Sequence, residues 1–437
     1  MFSEKMKDKL QNSLLIAMDL GSQSFKAMAA EYTSDGLLHI LGAEESSLRD
    51  CVDHGVIVNT TDAGFMINQI LRFLGNRIRI NNIHNTFVCV GGRTLKVVPI
   101  SSNRDQIRKR AITQSLLEEM EVECKEKIEK KNVDVQVLDL VPYYYKLDDE
   151  EQDSVPTPDQ KATLVEAHYI AFVGKKEIED KIEGSFKRST VNIEHSYARP
   201  DALLNALASD QDMERGCAIL DLGAQTSTLS LYKGTQHLHA QVVALGGYDI
   251  TEAIQEEFGI PMMYAEHLKC SYGLALPDLV EKNKRYIVRG NNDKQVAITT
   301  EDLSVVISNK LKQILNPLIS ALNKEASRYD VLYITGGGAM LQGIIEFLER
   351  YTTVKVAYGS HAAWLTADSA EEYCMPQYSS LVGTLMLGAV YRAKHPLKPY
   401  RKDKRIIDVI YEKTLEIFTQ EELLESSQGT SEQSSAK

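Results

Sequence analysis

The sequence predicts an α/β protein made of two duplicated halves around a shared cleft, and three observations predict it. LLIAMDLGSQSFKAMAAEY (14–32) is an apolar run, Asp-Leu-Gly, small polar residues and an alternating apolar stretch. AILDLGAQTSTLSLYKG (218–234) repeats that order later in the chain. YDVLYITGGGAML (329–341) is a buried-type strand followed by three glycines and a helix-like stretch.

The elements follow in order. Leu14–Ile40 reads as a strand, a turn at Gly21–Ser24, a second strand through Ala27–Tyr32 and a third near Leu38–Ala43, with Asp35-Gly36 as the hairpin turn. TTDAGFMINQILRFLGNRI reads as a helix with Phe65, Ile67, Ile70, Leu71 and Leu74 on its apolar stripe and Thr61 or Asp62 as its N-cap. NTFVCVGG is a buried-type strand. After it the texture changes: helix-like SLLEEMEVECKEKIEKKN and strand-like VQVLDLVPYYYKL and ATLVEAHYIAFVGKK surround an acidic, Pro-containing loop at Asp148–Asp159. ITEAIQEEFGI and YAEHLKCSYGLAL read as helices, and helices fill most of Leu303–Tyr329. The expected organisation is a first half at 1–84 and 176–209, an inserted subdomain at 85–175, a second half at 210–395, and a linker and tail at 396–437.

Composition narrows the function. Hydrophobic residues make up 43% of the 437 and charged residues 25%, as in an ordinary soluble protein. A net charge of -12 argues against a general nucleic-acid partner. The six cysteines are scattered singly, with no CxxC pair for zinc or redox chemistry, and are expected to pack as small reduced hydrophobes. MFSEKMKDKLQNS lacks the apolar core of a signal peptide, and no stretch has transmembrane length, so a cytoplasmic protein is expected.

The repeated turn carries the chemistry. A strand ending in Asp-Leu-Gly before Ser or Thr presents backbone N–H groups at a tight turn, where glycine allows close approach. Successive N–H groups form a nest for phosphate oxygens. The Asp would repel phosphate, so its expected partner is a phosphate-bound Mg²⁺. One such turn is an ordinary hairpin turn. Two of them facing each other can grip one polyphosphate, and Gly336–Gly338 at a helix N-terminus can meet the nucleoside.

These elements in this order resemble the actin superfamily. Asp19–Ser24 and Asp221–Ser227 look like its two phosphate loops, and Gly336–Gly338 like its adenosine motif. ARPDALLNALA (198–208) and GTLMLGAVY (383–391) look like its connecting helices. Within the superfamily the chain resembles the FtsA family of bacterial cell-division proteins from about Leu15 to Tyr391. HGVIVNTTDAGFMINQIL, VCVGGRTLKVVPIS, VLDLVPYYYKLDD and YAEHLKCSYGLAL carry that resemblance, together with the subdomain inserted after VCVGG. The resemblance implies an actin-like fold with an FtsA-type insertion. It also implies ATP and Mg²⁺ as ligands. Asp19, Gly21, Ser22, Gln23 and Ser24 would line the phosphates from one side, and Asp221, Gly223, Gln225 and Thr226 from the other. Glu266 and Lys269 would lie near ribose and adenine, Gly336, Gly337 and Gly338 at the nucleoside, and the metal near Asp19 and Asp221.

One departure bears on activity. The family's second loop usually reads D-x-G-G-G-T-T-D. Here Ala224 and Gln225 replace two glycines and Thr228 replaces the last acid, which removes one candidate for orienting metal-bound water. At most a weak ATPase is expected.

The tail begins with basic residues, Lys394, Lys398, Arg401, Lys402, Lys404 and Arg405, and continues as a helical pattern. Ile406, Ile410 and Ile417 stack on one line beside Ile407, Tyr411 and Phe418. A basic stretch leading into an amphipathic helix suits an anionic membrane surface, as the resemblance also implies, while its acidic opposite face (Asp408, Glu412, Glu416) leaves a protein-docking helix open. The resemblance implies self-association into polymers, an FtsZ filament as partner, septum assembly as the process, and the cytoplasmic face of the membrane at the division site as location. A pilus-assembly relative of FtsA and a small-molecule phosphotransferase of the same superfamily are the competing readings.

Overall fold

The computed structural model describes residues 14–47, 51–152, 155–234 and 236–395. The tail residues Arg405, Ile406, Ile407, Ile410, Tyr411, Ile417 and Phe418 lie outside them.

The first sheet is built from β1 (Leu14–Leu20), β2 (Ser24–Tyr32), β3 (Leu38–Ser47), β6 (Asn85–Val90) and β11 (Asn192–Ala198), in the order β11-β6-β1-β2-β3, while the short β4 (Val52–Asp53) and β5 (Val56–Ile57) pair separately. β1 runs parallel to β6 and antiparallel to β2, and six of its seven residues are buried, Asp19 among them, as its apolar run Leu14–Met18 requires of the strand. Asp35-Gly36 makes the β2–β3 turn as expected. Gly36 takes φ 86°, and Thr33 Oγ1 accepts the Leu37 N–H at 3.1 Å.

The helix Thr60–Ile78 forms where predicted, but two details differ. Its cap is Asn59, whose Oδ1 accepts the N–H groups of Thr61 and Asp62 at 3.0 and 3.1 Å. Phe65 is 68% exposed. The buried stripe runs through Ala63, Ile67, Ile70, Leu71 and Leu74, and Phe65, two residues before Ile67, falls on the opposite face.

The expected subdomain boundary at 85 falls inside the first sheet, because β6 pairs with both β1 and β11 in its middle. The second sheet starts at Lys96. It comprises β7 (Lys96–Ala111), β8 (Val135–Leu147), β9 (Glu150–Gln152) and β10 (Lys161–Lys175), in the order β7-β10-β8-β9. The helix Gln114–Lys131 packs Leu117, Met120 and Cys124 onto Tyr145, Val165 and Tyr169 of this sheet. The acidic loop contributes β9, which pairs with β8. The next helix, Lys176–Phe186, returns to the first core through Ile178, Ile182 and Phe186.

The third sheet repeats the first. β12 (Cys217–Leu222), β13 (Ser227–Lys233), β14 (Gln236–Val243), β17 (Val331–Thr335) and β18 (Lys355–Tyr358) lie in the order β14-β13-β12-β17-β18. β12 is antiparallel to β13 and parallel to β17, as β1 is to β2 and β6. The duplication seen in two short phrases is therefore a duplication of five strands. The hairpin of β15 (Arg285–Arg289) and β16 (Gln295–Thr299) and the helices Gly247–Phe258, Met262–Tyr272 and Thr300–Asn323 also belong to this half. The last buries Leu303, Ile307, Leu311, Ile314, Leu318 and Leu322 at helical spacing. After β17 the glycines do not open an α-helix as expected. Gly337–Met340 is a 3₁₀ turn, Gly343 at φ 81° breaks the chain again, and the helix is the short Ile344–Glu349.

Cys51, Cys89, Cys124 and Cys217 are buried as expected, whereas Cys270 is exposed. Among the described residues no helix is long and apolar enough to cross a membrane.

Candidate functional site

The two Asp-Leu-Gly turns, the glycine turn and the helix Met262–Tyr272 meet at one cleft of about 560 Å³. It is lined by Asp19, Gly21, Ser22, Gln23 and Ser24 from the first turn, Asp221 and Gly223 from the second, Glu266 and Lys269 from the helix, and Gly336, Gly337 and Gly338. Twelve of the fourteen residues predicted for the ligand are thus brought together.

Gln225 and Thr226 are not among the lining residues. The second turn closes tightly, with the Gly223 N–H donating to the Thr226 carbonyl at 3.0 Å, and the Gln225 side chain accepts the His54 N–H at 2.9 Å. Ala224 and Gly247 line the wall there instead. The neighbouring Gly55 N–H donates to Ser22 Oγ at 2.8 Å, so the His54-Gly55 turn is tied to both Asp-Leu-Gly turns.

Glycine is needed at the third element for close approach. Gly336 has φ 84° and ψ 172°, and a Cβ there would stand 2.4 Å from Asp221 Oδ1. A Cβ on Gly338 would meet the Leu222 side chain at 2.4 Å. On the opposite wall, Lys269 Nζ donates to the Gly247 carbonyl, Thr251 Oγ1 and Glu266 Oε2 at 2.8, 2.7 and 2.7 Å. Burial pushes the Glu266 carboxyl up, but Lys269 outweighs it and holds the group below its ordinary value.

The sequence reading missed Arg199, the first residue of the connecting helix Arg199–Leu207. Its guanidinium grips both oxygens of Asp19: Nη1 donates to Oδ2 at 2.9 Å and Nη2 to Oδ1. Ser380 Oγ, from the helix Ser379–Lys394, donates to the same Oδ2 at 2.7 Å. Arg199 Nε lies 3.9 Å from Asp221 Oδ2. Burial pushes the Asp19 carboxyl up, but the charge and hydrogen bonds of Arg199 outweigh it and hold the group below the usual carboxylate range. For Asp221 burial prevails, helped by the charge of Asp19, and its carboxyl is raised despite Arg199. One signal could have found Arg199. In the register Asp19 sits level with Cys89, and Cys89 with Tyr197, so a cation just past the end of β11 lies beside Asp19.

Asp19 and Asp221, predicted for Mg²⁺, do not fit that ion as they stand. Asp19 already accepts three hydrogen bonds, and the positive charge between the acids is a side chain. Two unit positive charges about 4 Å apart repel by about 4 kcal/mol at the effective dielectric of a protein site, and a dication doubles this. Among the described residues no three His, Cys, Asp or Glu side chains gather as metal ligands.

The chain matches the family model described as cell division protein FtsA over residues 218–383 and that of the type IV pilus assembly protein PilM over 17–282, the latter more than half of its length. It is 23% identical over 356 residues to the cell division protein FtsA of Streptococcus pneumoniae serotype 2, covering 78% of this chain and 74% of that one. Its fold is similar to a PilM-PilN type IV pilus biogenesis complex, with a TM-score of 0.63 at 17% identity over 86% of this chain and 98% of that one. It is also similar to MreB5 of Spiroplasma citri bound to ADP, with a TM-score of 0.53 at 11% identity over 88% and 99%. The likeness to these structures shows an actin-like fold.

Proposed function

From the premise that this chain belongs to the actin-like family that holds the FtsA cell-division proteins and the PilM pilus-assembly proteins, we propose that it is an ATP-binding cell-division scaffold. In this reading it polymerises and links the FtsZ filament to the inner face of the membrane at the division site. The observation that carries the nucleotide part is the convergence of two duplicated phosphate turns and a glycine turn on one cleft. Backbone N–H groups at Gly21–Ser24 and at Ala224 would take the phosphates, and the wall of Glu266 and Lys269 the nucleoside. The basic, amphipathic sequence after Lys394 supports the membrane part.

The phosphotransferase reading is weaker. It needs a free carboxylate facing the cleft. Here Glu45 pairs with Lys26, Glu266 with Lys269, and Asp19 and Asp221 both face Arg199. A pilus-assembly role is the second reading, favoured by the span of the PilM match.

The test is co-sedimentation of FtsZ filaments with anionic vesicles, with and without ATP, comparing the full chain with one ending at Tyr400. The full chain is expected to carry FtsZ into the vesicle pellet, and the shortened chain to leave it in solution. If the full chain also leaves FtsZ behind, the division reading fails and the pilus reading takes its place.

A further inference from the structure

Arg199 is not a surface side chain that happens to meet an acid. It is held from several sides. Gly91 leaves room for it, since a Cβ there would stand 3.0 Å from Arg199 Nε. Pro200 fixes the first turn of its helix, and Asp139 Oδ2 accepts the N–H of the preceding Ala198 at 2.9 Å. Ser380 completes the shell of Asp19. Swinging the guanidinium out would leave Asp19 buried without its ion-pair partner, which folded proteins avoid.

The guanidinium also faces the cleft, which it lines. It carries five N–H groups in a planar fork, of which Asp19 engages two. That fork matches the geometry of phosphate oxygens. Arg199 thus faces an acid from each duplicated half and brings positive charge to the cleft wall.

We infer that Arg199 takes the place of the metal, so that this cleft binds a nucleoside polyphosphate without a divalent cation. The inference rests on the nucleotide reading above. The outward N–H groups of Arg199 meet the phosphate oxygens, together with the backbone N–H groups of the two turns.

Binding of a fluorescent ATP analogue to the full chain is measured in excess Mg²⁺ and in excess EDTA. The expected result is an affinity in Mg²⁺ no more than about threefold tighter than in EDTA. A larger Mg²⁺ advantage overturns the inference and leaves the nucleotide reading standing. Absence of binding in both buffers overturns both. A second measurement needs no variant. Full chain added in excess to Mn²⁺·ATP is expected to draw off the nucleotide and raise the free Mn²⁺ signal in electron paramagnetic resonance. A signal that stays suppressed, with Mn²⁺ held in the complex, overturns the inference. In Arg199→Gly, checked for folding by its thermal melt, binding is expected to become more than about tenfold tighter in Mg²⁺ than in EDTA. Binding that stays independent of Mg²⁺ in this variant overturns the role given to Arg199.

Discussion

Asp139 and Ala198 join two parts of the molecule that lie far apart in sequence: the Asp139 carboxylate, on β8 of the inserted sheet, accepts the Ala198 N–H at 2.9 Å. Ala198 is the N-cap of the connecting helix and immediately precedes Arg199. The inserted subdomain therefore fixes the start of the helix whose first side chain grips Asp19. A displacement of β8 would be passed to the first Asp-Leu-Gly turn through one peptide unit and one ion pair.

This link should respond to pH. Burial pushes the Asp139 carboxyl up to about 6, against the pull of the Ala198 and Leu140 N–H groups and of Lys125. Asp201, buried on the connecting helix, is raised too, by burial and by Asp139, and His195 Nε2 lies 4.0 Å from Asp139 Oδ1. A carboxyl raised on folding holds its proton more tightly in the native state, so its contribution falls as pH rises from the usual carboxylate value near 4 to about 6. The wild-type chain should lose stability across that window. Asp139→Asn, which does not titrate, should show a flatter dependence there. Urea midpoints taken along the pH series for both proteins check this, and parallel curves would remove Asp139 from the account.

The second connecting helix is tied in by contact. Gly383 lies on the helix Ser379–Lys394, and a Cβ there would stand 1.8 Å from the Ala202 carbonyl on the helix Arg199–Leu207. That carbonyl is backbone and cannot rotate away. Gly383→Ala should force the helices apart at a cost of about 1–3 kcal/mol, the range for overpacked cores. Because Ser380 lies on the same helix and bonds Asp19, nucleotide affinity should fall along with the melting temperature. An unchanged melt would mean the crossing is looser than the structure has it.

What was legible in the sequence was local. The repeated turns, the β2–β3 hairpin and the apolar spacing of Thr300–Asn323 each follow from residues within one element, where periodicity and turn chemistry act. Twelve site residues were legible because they belong to four short stretches. The missed partners of Asp19 are Arg199 and Ser380, separated from it by 180 and 361 positions, and only the folded register brings them together. Gln225 was misplaced for a related reason. Its motif position said phosphate, but its side chain found the His54 N–H on the other half. Phe65 shows the limit of periodicity itself: an apolar residue joined the stripe by type, although its angle on the helix put it outside.

The glycine turn offers a test in which adjacent residues should behave differently. Gly336 sits at φ 84° and ψ 172°, a region that is essentially glycine-only, and its missing Cβ is what lets it pass Asp221 Oδ1 and the Leu222 carbonyl, which would stand 2.4 and 2.7 Å from that atom. Gly337 has neither constraint: its φ is not positive, and nothing lies within 4 Å of where its Cβ would be. Gly336→Ala should therefore destabilise the fold by about 1–3 kcal/mol and push the turn away from Asp221, weakening ATP-analogue binding. Gly337→Ala should leave the urea midpoint where it is, so any loss of binding in that variant reports a methyl group intruding on the ligand and not a damaged turn. If both variants melt like the wild type, the close packing of the glycine turn on Asp221 is wrong. If Gly336→Ala alone loses stability and affinity together, the third arm of the cleft is held by backbone approach, which no larger residue at 336 can reproduce.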